Sequence, residues 1–304
     1  MSSCDIFSVP LRLGFGCSGA LASKWFSPRR AARLLQNAYD GGVRCFDTAS
    51  FYSGGEAERR LGAVAANWRD PVFISTKTGT RYTASGAVKD FSPAAIRRDV
   101  ETSLVRLGRD TLDLVYLHGP SPEGQRSGLE TLAALKDEGK VRLAGICGGG
   151  RGLDRAVAAE GVDVIMGVYN ILRREHAEVF KAAKAKGVGV VAIAPLAQGL
   201  FRKNFFEVRG PADVWRIARA LINNRPELSQ ARAARDVLAS FPGWTPAQAA
   251  LAFVHANPAI DVAVTTSTNI GRLSESIDAA GRTPPASLLR ALEALSLDAP
   301  EGAA

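Results

Sequence analysis

With 304 residues, 46% of them hydrophobic and 22% charged, the chain is long enough to bury a sizeable core and too apolar to be disordered. No stretch approaches the roughly 18 consecutive apolar residues of a membrane-spanning helix, so we expect no membrane association. The formal net charge of +8 is concentrated in residues 201–235, which hold eight basic and three acidic residues. A nucleic-acid binder needs a broader basic face, so we expect no nucleic-acid partner. The basic segment either forms a solvated helical face or provides a local positive electrostatic field beside an anionic small ligand.

An apolar run typical of a β-strand, followed by an amphipathic helix, recurs along the chain. The predicted strands are Leu11–Phe15, Val43–Asp47, Pro71–Lys77, Leu112–His118, Val141–Ile146, Val162–Val168, Val188–Ala194 and Ile260–Thr265. Their apolar residues run almost without interruption, which is typical of a parallel sheet that helices cover.

Local signals begin and end several of the predicted helices. Ser27-Pro28 and Ser92-Pro93 each combine an N-cap serine with a proline at the first helical position. Gly41 and Gly108 are typical of helix ends. Further helices are predicted over Glu56–Ala66, Leu129–Glu138, a segment ending at Gly187, Asp213–Asn223, Ser229–Ser240, Pro246–Ala256 and Ala286–Leu297.

Eight strand–helix units in about 300 residues match the usual size of a (β/α)8 TIM barrel. No linker, low-complexity segment or change of composition divides the chain, so we predict one α/β domain over residues 1–304. An open doubly wound sheet has the same alternation of strands and helices and is the alternative fold.

A Gly-x-Gly-x-x-Gly sequence at Gly14–Gly19 matches the dinucleotide-binding fingerprint. That fingerprint binds a pyrophosphate only where a helix starts on the glycine loop. Here the first helix is predicted to start at Pro28, well beyond Gly19. We therefore interpret the glycines as a close-approach loop at the mouth of the barrel.

Ionisable residues end three consecutive predicted strands: Asp47, Lys77 and His118. Neighbouring parallel strands lie about 4.8 Å apart, so these side chains should crowd one sector of the mouth where barrel active sites lie. Tyr52 follows Asp47 closely enough for its loop to fold back over them. A lysine at the end of a buried strand needs a partner, which Asp47 can provide.

Such a cluster supports proton transfer to a carbonyl oxygen. A phenol has a pKa near 10, and an adjacent ammonium lowers it, so Lys77 would make Tyr52 a better proton donor. Asp47 would hold Lys77, and His118 would orient the carbonyl and share its developing negative charge. The alternative is a stabilising Asp–Lys ion pair without chemistry.

The motifs that contain these residues resemble those of the aldo-keto reductases. They are Phe46–Ala49 with Tyr52, Gly55-Glu56, Leu61-Gly62, Ser75–Lys77, Leu112–His118, Tyr169-Asn170 and Ala194–Leu196. The resemblance runs from about Leu13 to Ala279. It implies a (β/α)8 barrel, a nicotinamide cofactor bound without a Rossmann domain, and a catalytic tetrad of Asp47, Tyr52, Lys77 and His118.

The resemblance also implies a set of cofactor-binding residues. These are Gly16, Cys17, Asp47, Cys147, Gly148, Pro195, Leu196, Gly199, Ser267, Arg272 and Glu275. Three sites depart from the family pattern: Cys147-Gly148 replaces Ser-Asn, Met166 replaces a glutamine, and Ile193 replaces a stacking aromatic residue. Gly145–Gly148 and Pro195–Leu200 are similar to the branch that oxidises aldoses at C1.

One part of the family's 2′-phosphate site is present. Thr266-Ser267 and Arg272 fit its frame, with threonine in place of lysine. Since arginine matches phosphate bidentately, the pattern favours NADP(H), with NAD(H) as the alternative. The alternative is that Arg272 is an ordinary residue on a helix face and does not bind the cofactor.

We therefore predict an NAD(P)-dependent oxidoreductase that interconverts a carbonyl compound, possibly a sugar, and its alcohol or lactone. The alternatives are a cofactor-binding barrel that acts as a sensor or scaffold and a metal-dependent hydrolase, for which Asp47 and His118 offer too few ligands.

No secretory signal precedes the first strand, and the four cysteines lack Cys-x-x-Cys spacing. We therefore expect a cytoplasmic protein without disulfides or bound metal. The oligomeric state is not readable from the sequence.

Overall fold

Eight parallel strands close into a barrel, as the order of apolar runs predicts. The computed structural model describes residues 7, 9–83, 86–201, 205, 207, 208, 214, 217, 218 and 225–295. The strands are β1 (Leu13–Gly16), β2 (Cys45–Asp47), β3 (Phe73–Thr78), β4 (Thr80–Thr83), β5 (Gly86–Lys89), β6 (Leu112–His118), β7 (Val141–Cys147), β8 (Val164–Val168), β9 (Gly189–Ile193) and β10 (Val262–Thr265). Around the barrel the order is β1-β10-β9-β8-β7-β6-β3-β2, while β4 and β5 form a separate antiparallel hairpin. Closure through the β1–β10 pair excludes the open doubly wound sheet.

Helices follow the barrel strands and cover their outer face. They are α1 (Pro28–Asp40), α2 (Glu56–Ala65), α3 (Pro93–Leu107), α4 (Pro122–Asp137), α5 (Arg151–Ala158), α6 (Ala177–Ala185), α7 (Arg225–Ala239), α8 (Pro246–Ala256), α9 (Ile270–Ala280) and α10 (Ala286–Glu293). Within the described ranges, none of the helices is both long and apolar enough to cross a bilayer.

The predicted helix signals are found where the sequence placed them. Ser27 and Ser92 accept hydrogen bonds at the starts of α1 and α3, each with proline in the first turn. Gly108 ends α3 with φ of 65°, a left-handed conformation that glycine adopts without a steric penalty. As expected, the Gly14–Gly19 segment leads into a short 3-10 turn and not into α1.

Several details differ from the prediction. Helix α4 begins at Pro122 and not at Leu129, because Ser121 caps it. The β4–β5 hairpin was not predicted, and its residues are mostly exposed, so they carry no apolar pattern. The helix predicted to end at Gly187 is α6, which begins after the N-cap residue His176 and ends at Ala185. Most of the predicted helix Asp213–Asn223 and five of the eight basic residues of the segment 201–235 lie outside the described residues.

Two layers of apolar side chains hold the barrel together. The larger layer lies between the strands and the helices, and the smaller one fills the interior of the barrel. In the interior, Phe7 packs against Phe73 with ring centroids 5.0 Å apart, and Tyr116 and Met166 are fully buried. Since side chains fill the lower interior, the space for a ligand lies at the carboxyl ends of the strands.

Candidate active site

The carboxyl ends of three barrel strands bring ionisable side chains to one cavity. Asp47 ends β2, Lys77 is the last residue but one of β3, and His118 ends β6. Tyr52 begins the 3-10 turn that follows β2. All four side chains line a cavity of about 1010 Å³ at the mouth of the barrel. The residues that the sequence singled out therefore share one space.

Asp47 and Lys77 form a buried ion pair at the floor of this cavity. Lys77 Nζ lies 2.5 Å from Asp47 Oδ2 and donates to the carbonyl oxygen of Thr48 at 2.8 Å. The second carboxylate oxygen of Asp47 accepts from Ser75 Oγ at 2.8 Å. Burial disfavours the ammonium, but the charge and hydrogen bond of Asp47 outweigh it and raise the pKa of Lys77. Lys77 is therefore a fixed positive charge.

Tyr52 lies beside this charge. Lys77 Nζ is 5.5 Å from the centroid of the Tyr52 ring, and Phe51 packs edge-on against the same ring at 4.8 Å. Burial raises the pKa of Tyr52, and Lys77 opposes this shift without cancelling it. The expectation that Lys77 lowers the pKa below its usual value was therefore wrong for the net shift, although the sign of the lysine's own effect was right.

His118 is held from the side opposite the cavity. Its Nδ1 lies 3.0 Å from Thr80 Oγ1, and its ring stacks on Phe51 with centroids 5.1 Å apart. Burial lowers the pKa of His118 to about 4, with smaller contributions from the positive charges of Lys89 and Lys77. The imidazole is therefore neutral at pH 7.

A buried network fixes the segment that carries Tyr52. Ser50 binds the carbonyl oxygen of Lys77 through both its N–H and its hydroxyl, at 3.2 and 2.9 Å. Arg106 of α3 donates to the carbonyl oxygen of Ser50 at 3.0 Å and to Glu58 Oε2 at 3.1 Å. Because Glu58 is fully buried, this network ties the loop after β2 to the strand and helix beneath it.

Most of the predicted cofactor-binding residues line the same cavity. Those that do so are Gly16, Asp47, Cys147, Pro195, Leu196, Gly199, Ser267, Arg272 and Glu275. Cys17 and Gly148 are not among its lining residues; Cys17 is fully buried, and its N–H donates to the carbonyl oxygen of Asp47 at 2.7 Å. Met166 and Ile193, two of the departures from the family pattern, are on the cavity wall.

Gly16 allows two parts of the wall to approach closely. A Cβ atom at this position would lie 2.6 Å from Thr266 Oγ1, closer than side-chain atoms approach one another. Gly16 also pairs with Asp47 in the register of β1 and β2. The absence of a side chain therefore lets the segment after β10 reach the floor residues, which is the close approach that the glycine motif predicts.

The far end of the cavity is formed by the first turn of α9. Asn269 caps this helix by accepting from the Arg272 N–H at 3.1 Å. Arg272 and Glu275 line the cavity together with Ser267. Arg272 is exposed, and among the residues that the structure describes its guanidinium has no ion-pair partner. An exposed guanidinium in the first turn of a helix is suited to an anionic group.

Some lining residues were not among the predicted contacts. They include Gln198, Phe201, Thr245, Pro246, Ala247, Thr268 and Ser276. Thr245-Pro246 carries the same capping signal as the serine–proline pairs, with Thr245 and Gln248 forming a capping box. The signal locates the start of α8, but only the closed barrel brings that start to the cavity.

Comparison with known proteins identifies relatives over almost the whole chain. The sequence model described as "Aldo/keto reductase family" matches residues 12–296. The chain is 29% identical over 283 residues to the uncharacterized oxidoreductase YqkF of Bacillus subtilis (strain 168), covering 92% of this chain and 89% of that protein.

Two further relatives have names that state a reaction. The chain is 30% identical over 222 residues to D-threo-aldose 1-dehydrogenase of a Pseudomonas species, covering 63% of this chain and 68% of that protein. It is 29% identical over 263 residues to L-galactose dehydrogenase of Arabidopsis thaliana, covering 82% of this chain and 77% of that protein. Among solved structures, the holo form of aldo-keto reductase AKR11C1 from Bacillus halodurans matches with a TM-score of 0.78 at 25% identity, covering 93% of this chain and 91% of that one.

Proposed function

The chain belongs to the aldo/keto reductase family, and from this membership we propose that Tyr52 gives a proton to, and takes it from, the substrate oxygen. As an oxidoreductase of this family, the protein interconverts carbonyl and alcohol groups with a nicotinamide cofactor. The observation that carries the proposal is the convergence of Asp47, Tyr52, Lys77 and His118 on one cavity.

The residues present fit a dinucleotide cofactor. The cavity, of about 1010 Å³, reaches from the Asp47–Lys77 floor to the first turn of α9, which is enough space for a large ligand. Apolar side chains such as Met166 and Ile193 are part of the cavity wall, and an apolar wall suits a nicotinamide ring. At the other end lies the guanidinium of Arg272, which has no ion-pair partner within the described part of the chain and suits a phosphate group. We propose that NADP(H) is preferred over NAD(H) because of this guanidinium.

A bound nicotinamide would supply the hydride for reduction of the carbonyl carbon and would accept it in oxidation. A phenol is protonated at neutral pH and burial raises the pKa of Tyr52 further, so we propose that its hydroxyl donates to the substrate oxygen in the reduction direction. The Lys77 ammonium then stabilises the phenolate that forms, and Asp47 holds Lys77 in place. Neutral His118 orients the same oxygen with a hydrogen bond.

We propose an aldose, oxidised at C1 to a lactone, as the substrate class. Two features support this choice. The relatives D-threo-aldose 1-dehydrogenase and L-galactose dehydrogenase are named for sugars. Cys147 also lines the cavity at the position where the sequence resembles the branch of the family that oxidises aldoses.

Replacing Tyr52 with phenylalanine tests the proposed proton transfer. The change removes one hydroxyl and keeps the ring, so we expect kcat to fall by about 10²–10⁴-fold while the Kd for NADPH is unchanged. Lys77→Met should impair the same proton transfer by a different route, because it leaves Tyr52 in place without the neighbouring cation. A double variant should therefore lose little more than either single variant. Stopped-flow hydride transfer and fluorescence titration of the cofactor measure the two quantities.

Tyr39→Phe is the matched control, because Tyr39 lies on α1 outside the cavity and its hydroxyl accepts from the N–H of Asp70. It should keep wild-type kcat. Wild-type turnover by Tyr52→Phe would refute the role of Tyr52. If the unmodified protein binds NADPH but turns over no aldose, aldehyde or ketone in either direction, the barrel acts as a cofactor sensor.

A further inference from the structure

The β4–β5 hairpin contacts His118 on the side away from the cavity. Thr80 and Lys89 are directly opposite each other in the hairpin register. Lys89 Nζ donates to Thr80 Oγ1 at 2.8 Å and to the carbonyl oxygen of His118 at 2.5 Å. Thr80 Oγ1 lies 3.0 Å from His118 Nδ1. A chain of hydrogen bonds therefore runs from an ammonium through a hydroxyl to the imidazole.

The direction of each hydrogen bond follows from the chemistry of the groups. Burial lowers the pKa of Lys89 from its ordinary value, but Nζ contacts two oxygen acceptors, the Thr80 hydroxyl and the His118 carbonyl, which suit the protons of an ammonium. An ammonium only donates, so the oxygen of Thr80 accepts from Lys89. The hydroxyl proton of Thr80 is then left for another acceptor.

Two acceptors are within reach of that proton. One is His118 Nδ1 at 3.0 Å, and the other is the His118 carbonyl oxygen at 3.5 Å. The carbonyl contact is at the limit for a hydrogen bond, and that oxygen already accepts from Lys89. The hydroxyl of Thr80 therefore donates to Nδ1. In a neutral imidazole whose Nδ1 accepts, Nε2 carries the proton.

We propose that Thr80 and Lys89 are positioning residues that fix His118 in the Nε2–H tautomer and so make it a hydrogen-bond donor to the substrate oxygen. This inference rests on the proposed function, because it assigns the tautomer of His118, which the proposed function uses to orient the substrate oxygen. Among the described residues Nε2 has no protein partner, and His118 lines the cavity, so the Nε2–H group is available to a ligand.

Nuclear magnetic resonance can observe the tautomer without turnover. In protein labelled with [15N]histidine at pH 7, a long-range 1H–15N correlation spectrum distinguishes Nε2–H from Nδ1–H imidazoles. His176 is an internal reference of the opposite kind, because its Nε2 accepts from the N–H of Gly150 and its Nδ1 lies 2.8 Å from the carbonyl oxygen of Val168. The set of histidine signals that is missing from the spectrum of His118→Gln belongs to His118 and so assigns its resonances.

We expect Nε2–H for His118 in the unmodified protein. In Lys89→Met the hydroxyl of Thr80 is free to accept as well as to donate, so signals of the Nδ1–H tautomer should appear. Thr80→Ser should retain the wild-type spectrum, and Thr80→Val should not. An Nδ1–H imidazole in the unmodified protein, or an unchanged spectrum in Lys89→Met and Thr80→Val, overturns the inference.

Kinetics give the second measurement. In Thr80→Val we expect kcat/KM to fall by about tenfold, less than the roughly 10²–10³-fold loss when a donor to the oxyanion is removed altogether. Thr80→Ser should restore most of it. Thr83→Val removes a hydroxyl of the same hairpin that donates to the carbonyl oxygen of Gly86, and it should leave kcat/KM unchanged.

The two proposals fail in distinguishable ways. If Tyr52→Phe keeps full turnover while His118 is an Nε2–H imidazole, the proposed proton donor is wrong and the tautomer assignment stands. If Tyr52→Phe loses turnover while Thr80→Val keeps both the wild-type spectrum and the wild-type kcat/KM, only the positioning role of the hairpin is wrong.

Discussion

At the scale of single residues, burial and charge act on Tyr52 in opposite directions. The sequence predicted the contribution of Lys77, because a cation beside a phenol stabilises its anion. It did not reveal how far Phe51 and the rest of the wall would enclose the ring, and this burial dominates the shift in pKa. A protonated Tyr52 is the form that a general acid needs, so Lys77 acts mainly on the phenolate formed afterwards.

Arg272 is the residue on which we base the preference for NADP(H). In Arg272→Ala we expect the Kd for NADPH to rise by about 10- to 100-fold, because a hydrogen bond to a charged group contributes about 1.5–3 kcal/mol. The Kd for NADH should change by less than about threefold, since NADH lacks the 2′-phosphate. Fluorescence titration of each reduced cofactor measures both constants.

Arg69→Ala is a suitable control for the loss of one positive charge. Arg69 is exposed and lies just before β3, at the end of the barrel away from the cavity. This variant should leave both constants unchanged. Equal increases for NADPH and NADH in Arg272→Ala would contradict the assignment of Arg272 to the 2′-phosphate.

At the scale of secondary-structure elements, the predictions succeeded where a local signal exists. Serine–proline pairs begin α1 and α3, and the same signal at Ser121-Pro122 gives the true start of α4. The β4–β5 hairpin has no such signal, because most of its residues are exposed and they carry no apolar alternation. The partners of His118 were therefore not predictable, although His118 itself was.

The buried Glu58 joins β3, α2 and α3 and so provides a test at this scale. Its carboxylate accepts from Thr76 at 2.7 Å, Ser103 at 2.6 Å and Arg106 at 3.1 Å. In Glu58→Ala these donors lose their acceptor, and we expect the free energy of unfolding to fall by about 3–5 kcal/mol. Urea denaturation followed by circular dichroism measures the change.

Glu101→Ala serves as the control for this substitution. Glu101 pairs with Lys140 at the surface, where an ion pair contributes about 0–1 kcal/mol. A loss in Glu58→Ala no larger than that in Glu101→Ala would show that the buried network contributes little to stability. Because Arg106 also binds the loop of Tyr52, Glu58→Ala should reduce kcat in the fraction that remains folded.

At the scale of the whole molecule, closure of the barrel brings distant segments into one site. The sequence predicted the strands and their order, but the same alternation also fits an open sheet. The pairing of β1 with β10 decides between them, and it brings Gly16 to within reach of Thr266. That pairing depends on contacts between the two ends of the chain, which no local pattern encodes.

The stability of the whole molecule should depend on pH through two half-buried histidines. Burial lowers the pKa of His118 and of His255 to about 4, whereas an unfolded histidine has a pKa of about 6.5. Between these values the unfolded chain binds more protons than the folded one, so stability falls as the pH decreases. The loss of stability is complete by about pH 4 and is negligible above about pH 7.

From pH 7.5 to pH 5 we expect the free energy of unfolding to decrease by roughly 2 kcal/mol for each of these histidines. His255→Gln removes one titrating group and keeps a donor for the carbonyl oxygen of Arg12, which His255 Nε2 contacts at 3.0 Å. This variant should therefore lose about half of the pH dependence over that interval. Urea denaturation at pH 7.5, 6.5, 5.5 and 5.0 measures the slope for both proteins. A slope in His255→Gln equal to that of the unmodified protein would mean that the pKa of His255 is the same in the folded and the unfolded chain, which would contradict the prediction.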